Sequence, residues 1–465
     1  EVSEAAMDAA KSLGLFLRAS PTPYQMVETA SNMLVRAGFK RLPEDDVWKL
    51  QGQAAAPGKY FYIRAASTIV AFAVSAAMEK GSGYKIVGAH TDSPVLKVKP
   101  VSKKNASGYM QLGVECYGGG LWHTWLDREL SLAGCAIVEE NGVYRRKLVH
   151  MKRPVLRIPS LCIHLQTADE RAKLDLNKET HLVPILAMVN EELNKTSAEG
   201  ADSRHAPELL SALAEELGCT AAAIKDLDLT LYDTQPEQIW GLKNEFLSSP
   251  RLDNQAHCFT ALEALVSYTS SPEFNKDPYV SAVVCFDHEE VGSTSAHGAG
   301  SPIIKELVER VNNWYHSEHL VEHNKIALQK SFIISADVAH AVHPNYASKH
   351  ESNHGPLLNK GTVIKTNTNQ RYATSVTTGF VIRELARRAG INVQEFVVRN
   401  DCPCGSTIGP IVAASTGIST VDVGIPSLSM HSIRETIGVH DVENSIKLFS
   451  SFFVNYNDII GNCEF

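Results

Sequence analysis

The sequence has no apolar run near the roughly 20 residues that a membrane-spanning helix needs, so a membrane span is not expected. It also lacks an excess of positive charge. The formal net charge is −8, which argues against nucleic acid or an anionic membrane surface as the main partner. Its nine cysteines are scattered from Cys116 to Cys463 and contain no Cys-x-x-Cys. Cys402-Pro-Cys404 is too tightly spaced for a zinc knuckle or a redox motif. Free thiols in a reducing compartment are expected, with the cytoplasm as the default. A Gly-x-Ser-x-Gly elbow is missing, which disfavours a serine hydrolase. "CGSTIGP" lacks the Gly-Lys-Ser/Thr ending of a phosphate loop, and "YGGG" fails the dinucleotide fingerprint. The start, "EVSEAAMDAAKSLGLFLRAS", has no basic stretch followed by an apolar core, so it does not read as a secretory signal. It reads as an amphipathic helix with Ala6, Ala9, Ala10, Leu13 and Leu17 on one face.

What is present is ordinary globular material: 44% hydrophobic and 21% charged residues over 465 positions. That length is too great for one core and predicts two domains or more. "SPTPYQMVETASNMLVRAGFKRL" carries helix entry signals and a Gly38 stop. "KYFYIRAASTIVAFAV" predicts two strands and "YKIVGAH" a third. From residue 96 to 243 the texture turns β-rich, with Asn141-Gly142 as a hairpin turn. "PELLSALAEELGCTAAAIKDLDLTLYD" is expected to be helical, and residues 196–208 to form a flexible loop. The α/β texture resumes at 244. The expectation is an α/β fold, a mixed β-sheet sandwiched by helices. The α/β part is discontinuous, residues 1–95 and 244–465, and is interrupted by a β-rich domain, 96–243.

Several apolar β runs end in residues that ligate metals. "GAHTDSP" sets His90 and Asp92 two apart, so in an extended chain they face the same way. "FDHEEVGS" carries Glu289 and Glu290, "SADVAHAVHP" carries Asp337, and "SMHSIRE" carries His431. Asp253 sits in the loop-like "SPRLDNQ". Singly, each reads more readily as a cap, an ion-pair partner or a hydrogen-bonded core residue. Together they do not, because adjacent carboxylates beside an apolar strand are costly without a cation. Mixed carboxylates and imidazoles suit Zn²⁺, and also Mn²⁺ or Co²⁺. One ligand from each of these five places exceeds one tetrahedral ion and suffices for two if one carboxylate bridges.

These stretches, with "YGGGLWHTW", "RIPSLCIHL", "VIKTNTNQRYAT" and "CGSTIGP", resemble the aspartyl aminopeptidase family of co-catalytic zinc exopeptidases. The resemblance runs from about residue 20 to residue 450. It implies two Zn²⁺ per subunit, with Mn²⁺ or Co²⁺ able to substitute at one site. His90, Asp253 and Asp337 would hold one ion; Asp253, Glu290 and His431 the other. Asp92 would orient His90, and Glu289 would be the general base that activates a metal-bridging water. The substrates implied are peptides with an N-terminal Asp or Glu, with Lys365 and His340 at the acidic side chain. The inserted domain would serve dimerisation, with His164 reaching a neighbouring subunit's site in a tetrahedral dodecamer. On the residues alone, Lys365 would pass for a surface strand lysine. The rival readings are a neutral or broad-specificity aminopeptidase on the same scaffold and a non-catalytic cargo or assembly protein.

Overall fold

The computed structural model describes residues 2–48, 57–189, 203–315 and 319–464. The chain divides into two compact units, residues 1–92, 237–430 and 435–465 in the first, 93–236 and 431–434 in the second.

The first unit is built on a nine-stranded mixed sheet among the described residues. Its centre is the run Val280–Phe286, Tyr84–His90, Phe332–Ala336 and Ser419–Gly424, in that spatial order. These four strands are mutually parallel, whereas Thr68–Val74 and Thr362–Lys365 flank them antiparallel. Every residue of Tyr84–His90 is buried, as expected of a strand covered on both faces. Its side chains divide by the period of two: Val87 and Ala89 enter one core, Tyr84 and Ile86 the other. The first core takes its helical side from Glu4–Ala19, Pro23–Arg36, Leu252–Tyr268, Val376–Ala389 and Val439–Gly461. The second takes it from Ile303–Tyr315, Leu320–Lys330 and Ile408–Thr416.

The local signals explain much of this. In Glu4–Ala19 the buried residues include Ala6, Ala10, Leu13 and Leu17, and Ser3 caps the helix by accepting from Ala6 N–H. The helix Pro23–Arg36 has proline in its first turn and is followed by Gly38 at φ +84°, a left-handed residue that suits glycine. A smaller five-stranded sheet of short pieces also belongs to this unit; its strands are too brief to leave a readable period.

The second unit carries a six-stranded sheet. Asn141 and Gly142, both at positive φ, turn Leu130–Glu140 into Val143–His150, the geometry of a two-residue hairpin. One expectation fails here. The helix starting at Pro207 ends at Leu217 with Gly218 left-handed, and Ile224–Asp233 is a strand paired along Leu130–Glu140. The alternation in "IKDLDLTLYD" is the period that was overridden by the helical run before it. In the stretch expected to be a loop, 196–202 lies outside the described residues, and Pro207 already begins the helix. Among the described residues no helix is long and apolar enough to cross a membrane, and all nine cysteines are free.

Candidate metal centre

Three parallel neighbours in the first unit's sheet finish together. Phe286 pairs with His90, and Asp337 directly follows Phe332–Ala336. Parallel sheets collect side chains at the carboxyl ends of their strands, so His90, Asp337 and the pair Glu289–Glu290 meet there. Asp253, read as loop-like, sits at the entry to Leu252–Tyr268 with non-helical backbone angles, φ −81° and ψ 106°. Its N–H donates to the buried Glu435 carboxylate at 2.7 Å. Gly424 permits the close approach of the neighbouring segment, since a Cβ there would collide with the Asp337 carbonyl.

The distances define a converging donor set. His90 Nε2 lies 3.2 Å from Asp253 Oδ1, 3.6 Å from Asp337 Oδ1 and 3.8 Å from Glu289 Oε2. A tetrahedral ion with ligands at 2.0–2.1 Å separates them by about 3.3 Å. His90, Asp253 and Asp337 offer ligand atoms within 4.8 Å of one another, and so do His90, Glu289 and Glu290.

The ring of His90 is held from behind. Its Nδ1 faces the Asp92 carbonyl oxygen at 3.0 Å and Oδ1 at 3.3 Å. Donation of Nδ1–H there leaves the lone pair on Nε2, the tautomer a metal requires. Asp92 does a second job that the sequence did not disclose. Its two carboxylate oxygens accept the backbone N–H groups of Glu289 and Glu290, each at 3.1 Å. One side chain therefore orients the histidine and both glutamates.

The electrostatics call for a cation. Five carboxylates, those of Asp92, Asp253, Glu289, Glu290 and Asp337, act on a single imidazole. Burial, then the surrounding acids, raise Glu289 to about 8 and Glu290 well above its ordinary value. Despite burial, His90 is raised by Glu289, Asp253, Asp337 and Asp92. A divalent ion acts the other way on every one of these groups. Imidazole plus carboxylates is a donor set for zinc rather than for a hard ion such as calcium. The residues fit the metal.

Lys365 is buried, at the end of Thr362–Lys365. Its ammonium donates to the carbonyl of Val338 at 3.2 Å, next to Asp337, and lies 5.1 Å from the centre of the Tyr372 ring. The surface-lysine reading of it is overturned. Asp422, paired with Lys365 in the sheet, is fully buried and accepts from Ser335 Oγ, Thr407 Oγ1 and Ala373 N–H. His340 keeps an exposed edge; crowding by the chain and then Lys365 push it below the ordinary imidazole value.

His164 and His431 belong to the second unit. His164 is exposed in the turn Ile163–Leu165. His431 was expected at the end of an apolar strand but is a left-handed residue at φ +64° beyond Pro426–Leu428. Its Nδ1 is 2.8 Å from the Gly119 carbonyl, which assigns the lone pair to Nε2. Glu435 and Asp422 were missed by sequence reasoning. Glu435 stood at the end of the quoted run "SMHSIRE", but its partner is 182 positions away.

Residues 16–453 match the family model of aminopeptidase I zinc metalloproteases, M18. The chain belongs to the M18 family. It is 45% identical to a probable aspartyl aminopeptidase of Ricinus communis, over 96% of this chain and 94% of that protein. A cryo-EM structure of the Ape4 and Nbr1 complex matches at a TM-score of 0.95 and 42% identity, covering 99% of this chain and 88% of that one. The structure of the S. cerevisiae mApe1 dodecamer matches at 0.85 and 31%, covering 98% and 99%. The chain is thus an aminopeptidase of a zinc metalloprotease family, with the mixed α/β fold of its relatives.

Proposed function

We propose that this enzyme removes N-terminal Asp or Glu from peptides, using two Zn²⁺ per subunit, with Mn²⁺ or Co²⁺ able to replace one. His90, Asp253 and Asp337 would hold one ion and Asp253, Glu290 and His431 the other. Bound zinc would polarise the scissile carbonyl and acidify water. Glu289 takes the proton from the attacking water and hands it to the departing amine. Asp92 keeps Glu289 in place through its backbone N–H and fixes the tautomer of His90. His340 lines the substrate side.

The observation that carries the acidic preference is the buried ammonium of Lys365, bonded to the carbonyl of Val338, the residue that follows Asp337. A carboxylate side chain can pair with it, whereas an apolar one cannot and would only cut it off from water. The relatives' name supports the same reading. We further propose that residues 96–243 mediate dimerisation, that His164 serves a neighbouring subunit's site, and that the assembly is a dodecamer. Leu161, Ile163 and Leu165, all exposed around His164, are the apolar surface such an interface would cover.

The test is hydrolysis of Asp-, Glu-, Leu- and Ala-p-nitroanilides by wild type and Lys365→Ala, before and after chelation and re-addition of zinc or cobalt. The acidic preference should fall about 10- to 100-fold in the variant, the worth of one charged hydrogen bond. Equal metal-dependent activity on Leu and Asp in wild type would leave a metallo-aminopeptidase and discard the acidic assignment.

A further inference from the structure

Asp287 immediately follows Val280–Phe286 and is almost fully buried. One of its oxygens, Oδ1, accepts the His288 N–H at 2.8 Å. The other, Oδ2, faces the Nε2 atoms of His288 and His297, each at 3.7 Å. That separation is too long for a hydrogen bond. The two imidazoles stand 4.5 Å apart, centre to centre. All three side chains offer ligand atoms within 4.8 Å of one another. None of them has a part in the hydrolytic reading above.

We propose that Asp287, His288 and His297 form an additional site for a divalent transition metal of the zinc type. Two imidazoles and one carboxylate suit Zn²⁺, Co²⁺ or Fe²⁺ rather than Ca²⁺ or Mg²⁺. A tetrahedral ion would bring the donors to about 3.3 Å, so each imidazole must approach Asp287 Oδ2 by a few tenths of an ångström. Both rings are partly exposed, which gives them room to turn, gives an ion a route in and leaves a position for water.

The surroundings prepare the site. Ser295 Oγ lies 2.8 Å from His288 Nδ1 and accepts Gly298 N–H at 3.0 Å. It can also accept Nδ1–H, which puts the His288 lone pair on Nε2. Thr68 Oγ1 accepts Asp287 N–H at 2.9 Å and donates to the His297 carbonyl at 2.7 Å, tying the two segments together. Burial, then His288 and Arg64, hold His297 below the ordinary imidazole value, towards its neutral ligating form. The Arg64 charge opposes a cation, but it is engaged by Glu44 and Glu306. An ion here would cross-link the turn from which Glu289 and Glu290 project.

The full-length enzyme, equilibrated with excess Zn²⁺ and freed of loose ions by gel filtration, gives the metal content per chain by plasma mass spectrometry. Wild type should exceed His297→Gln by one equivalent, and His288→Asn should show the same loss. Asparagine tolerates the left-handed backbone of residue 288, so that variant stands in should the other fail to fold. With Co²⁺ in place of Zn²⁺, wild type should show a visible absorption component missing from both variants. Equal metal content in all three proteins overturns the site. So does the same loss in His319→Gln, an exposed histidine elsewhere. The count is a difference between proteins sharing the His90 centre, so it stands or falls separately from the two-zinc reading.

Discussion

The strand Tyr84–His90 carries a buried ionisable side chain near each end, and the two ends solve burial in opposite ways. At Lys85 the charges balance one to one. Its ammonium meets Asp277 at 2.6 Å, with both side chains almost wholly buried, and also donates to the Phe453 carbonyl. Asp277 is further satisfied by Tyr268 Oη at 2.6 Å, Asn457 Nδ2 at 2.7 Å and Tyr279 N–H at 3.0 Å. At His90 five acids crowd one imidazole. The first arrangement is closed by protein and needs nothing more. The second has excess negative charge that a cation must answer. Burial of charge therefore does not mark a site; unbalanced burial does.

The largest effect is expected where the imbalance is put to use. Glu289→Gln keeps the volume and removes the base, so kcat should fall about 10²- to 10⁴-fold while zinc content stays at the wild-type value. Steady-state kinetics paired with metal analysis checks this. A variant that loses its zinc together with its activity would make Glu289 a ligand, and a variant that keeps its kcat would remove it from the chemistry.

At the opposite end the prediction reverses. Lys85→Met leaves Asp277 charged and without its ammonium, which should cost about 3–5 kcal/mol of stability. Under conditions where the variant is folded, kcat per molecule should be that of wild type. Urea unfolding read alongside activity decides it. A drop in kcat that outruns the unfolded fraction would mean that the two ends are coupled along the strand.

How much of this could be read from the sequence depends on range. The strand Tyr84–His90, the hairpin at Asn141-Gly142 and the helix faces of Ala6, Ala10, Leu13 and Leu17 are local patterns, and they were visible. The α/β texture was equally readable, because apolar runs alternate with amphipathic stretches. The strand order was not. Nothing local says that Val280–Phe286 and Phe332–Ala336 flank Tyr84–His90, although this order is what gathers His90, Glu289, Glu290 and Asp337. The same limit hid Glu435, whose contact with Asp253 spans 182 residues, and Asp422, whose partners come from three separate segments. Lys365 looked like a surface residue because burial of a lysine is decided by tertiary neighbours. Ile224–Asp233 was misread for a simpler reason: a strong helix precedes it, and Gly218 ends that helix sooner than expected.

A third buried acid shows what happens with neither an ammonium nor a metal. Asp441, in the first turn of Val439–Gly461, is fully buried and accepts Asn359 N–H at 2.5 Å and Gly361 N–H at 3.0 Å. Burial outweighs these bonds and pushes its carboxyl from 3.8 up to about 7. The native state thus holds this proton more tightly than the unfolded chain does. Its stabilising contribution is complete below about pH 4 and is lost as the pH rises through 7. The slope is at most about 1.4 kcal/mol per pH unit for one proton. Asp441→Asn cannot titrate, so the difference in unfolding free energy between wild type and variant should shrink or change sign from pH 5 to pH 7. Urea midpoints at the two pH values measure it, and comparing the two proteins cancels the other titrating groups. A constant difference would mean that the two backbone N–H groups keep Asp441 ionised throughout. Hydrogen bonds alone would then suffice to hold a buried carboxylate in this fold, and the excess acid around His90 would be weaker evidence for a metal.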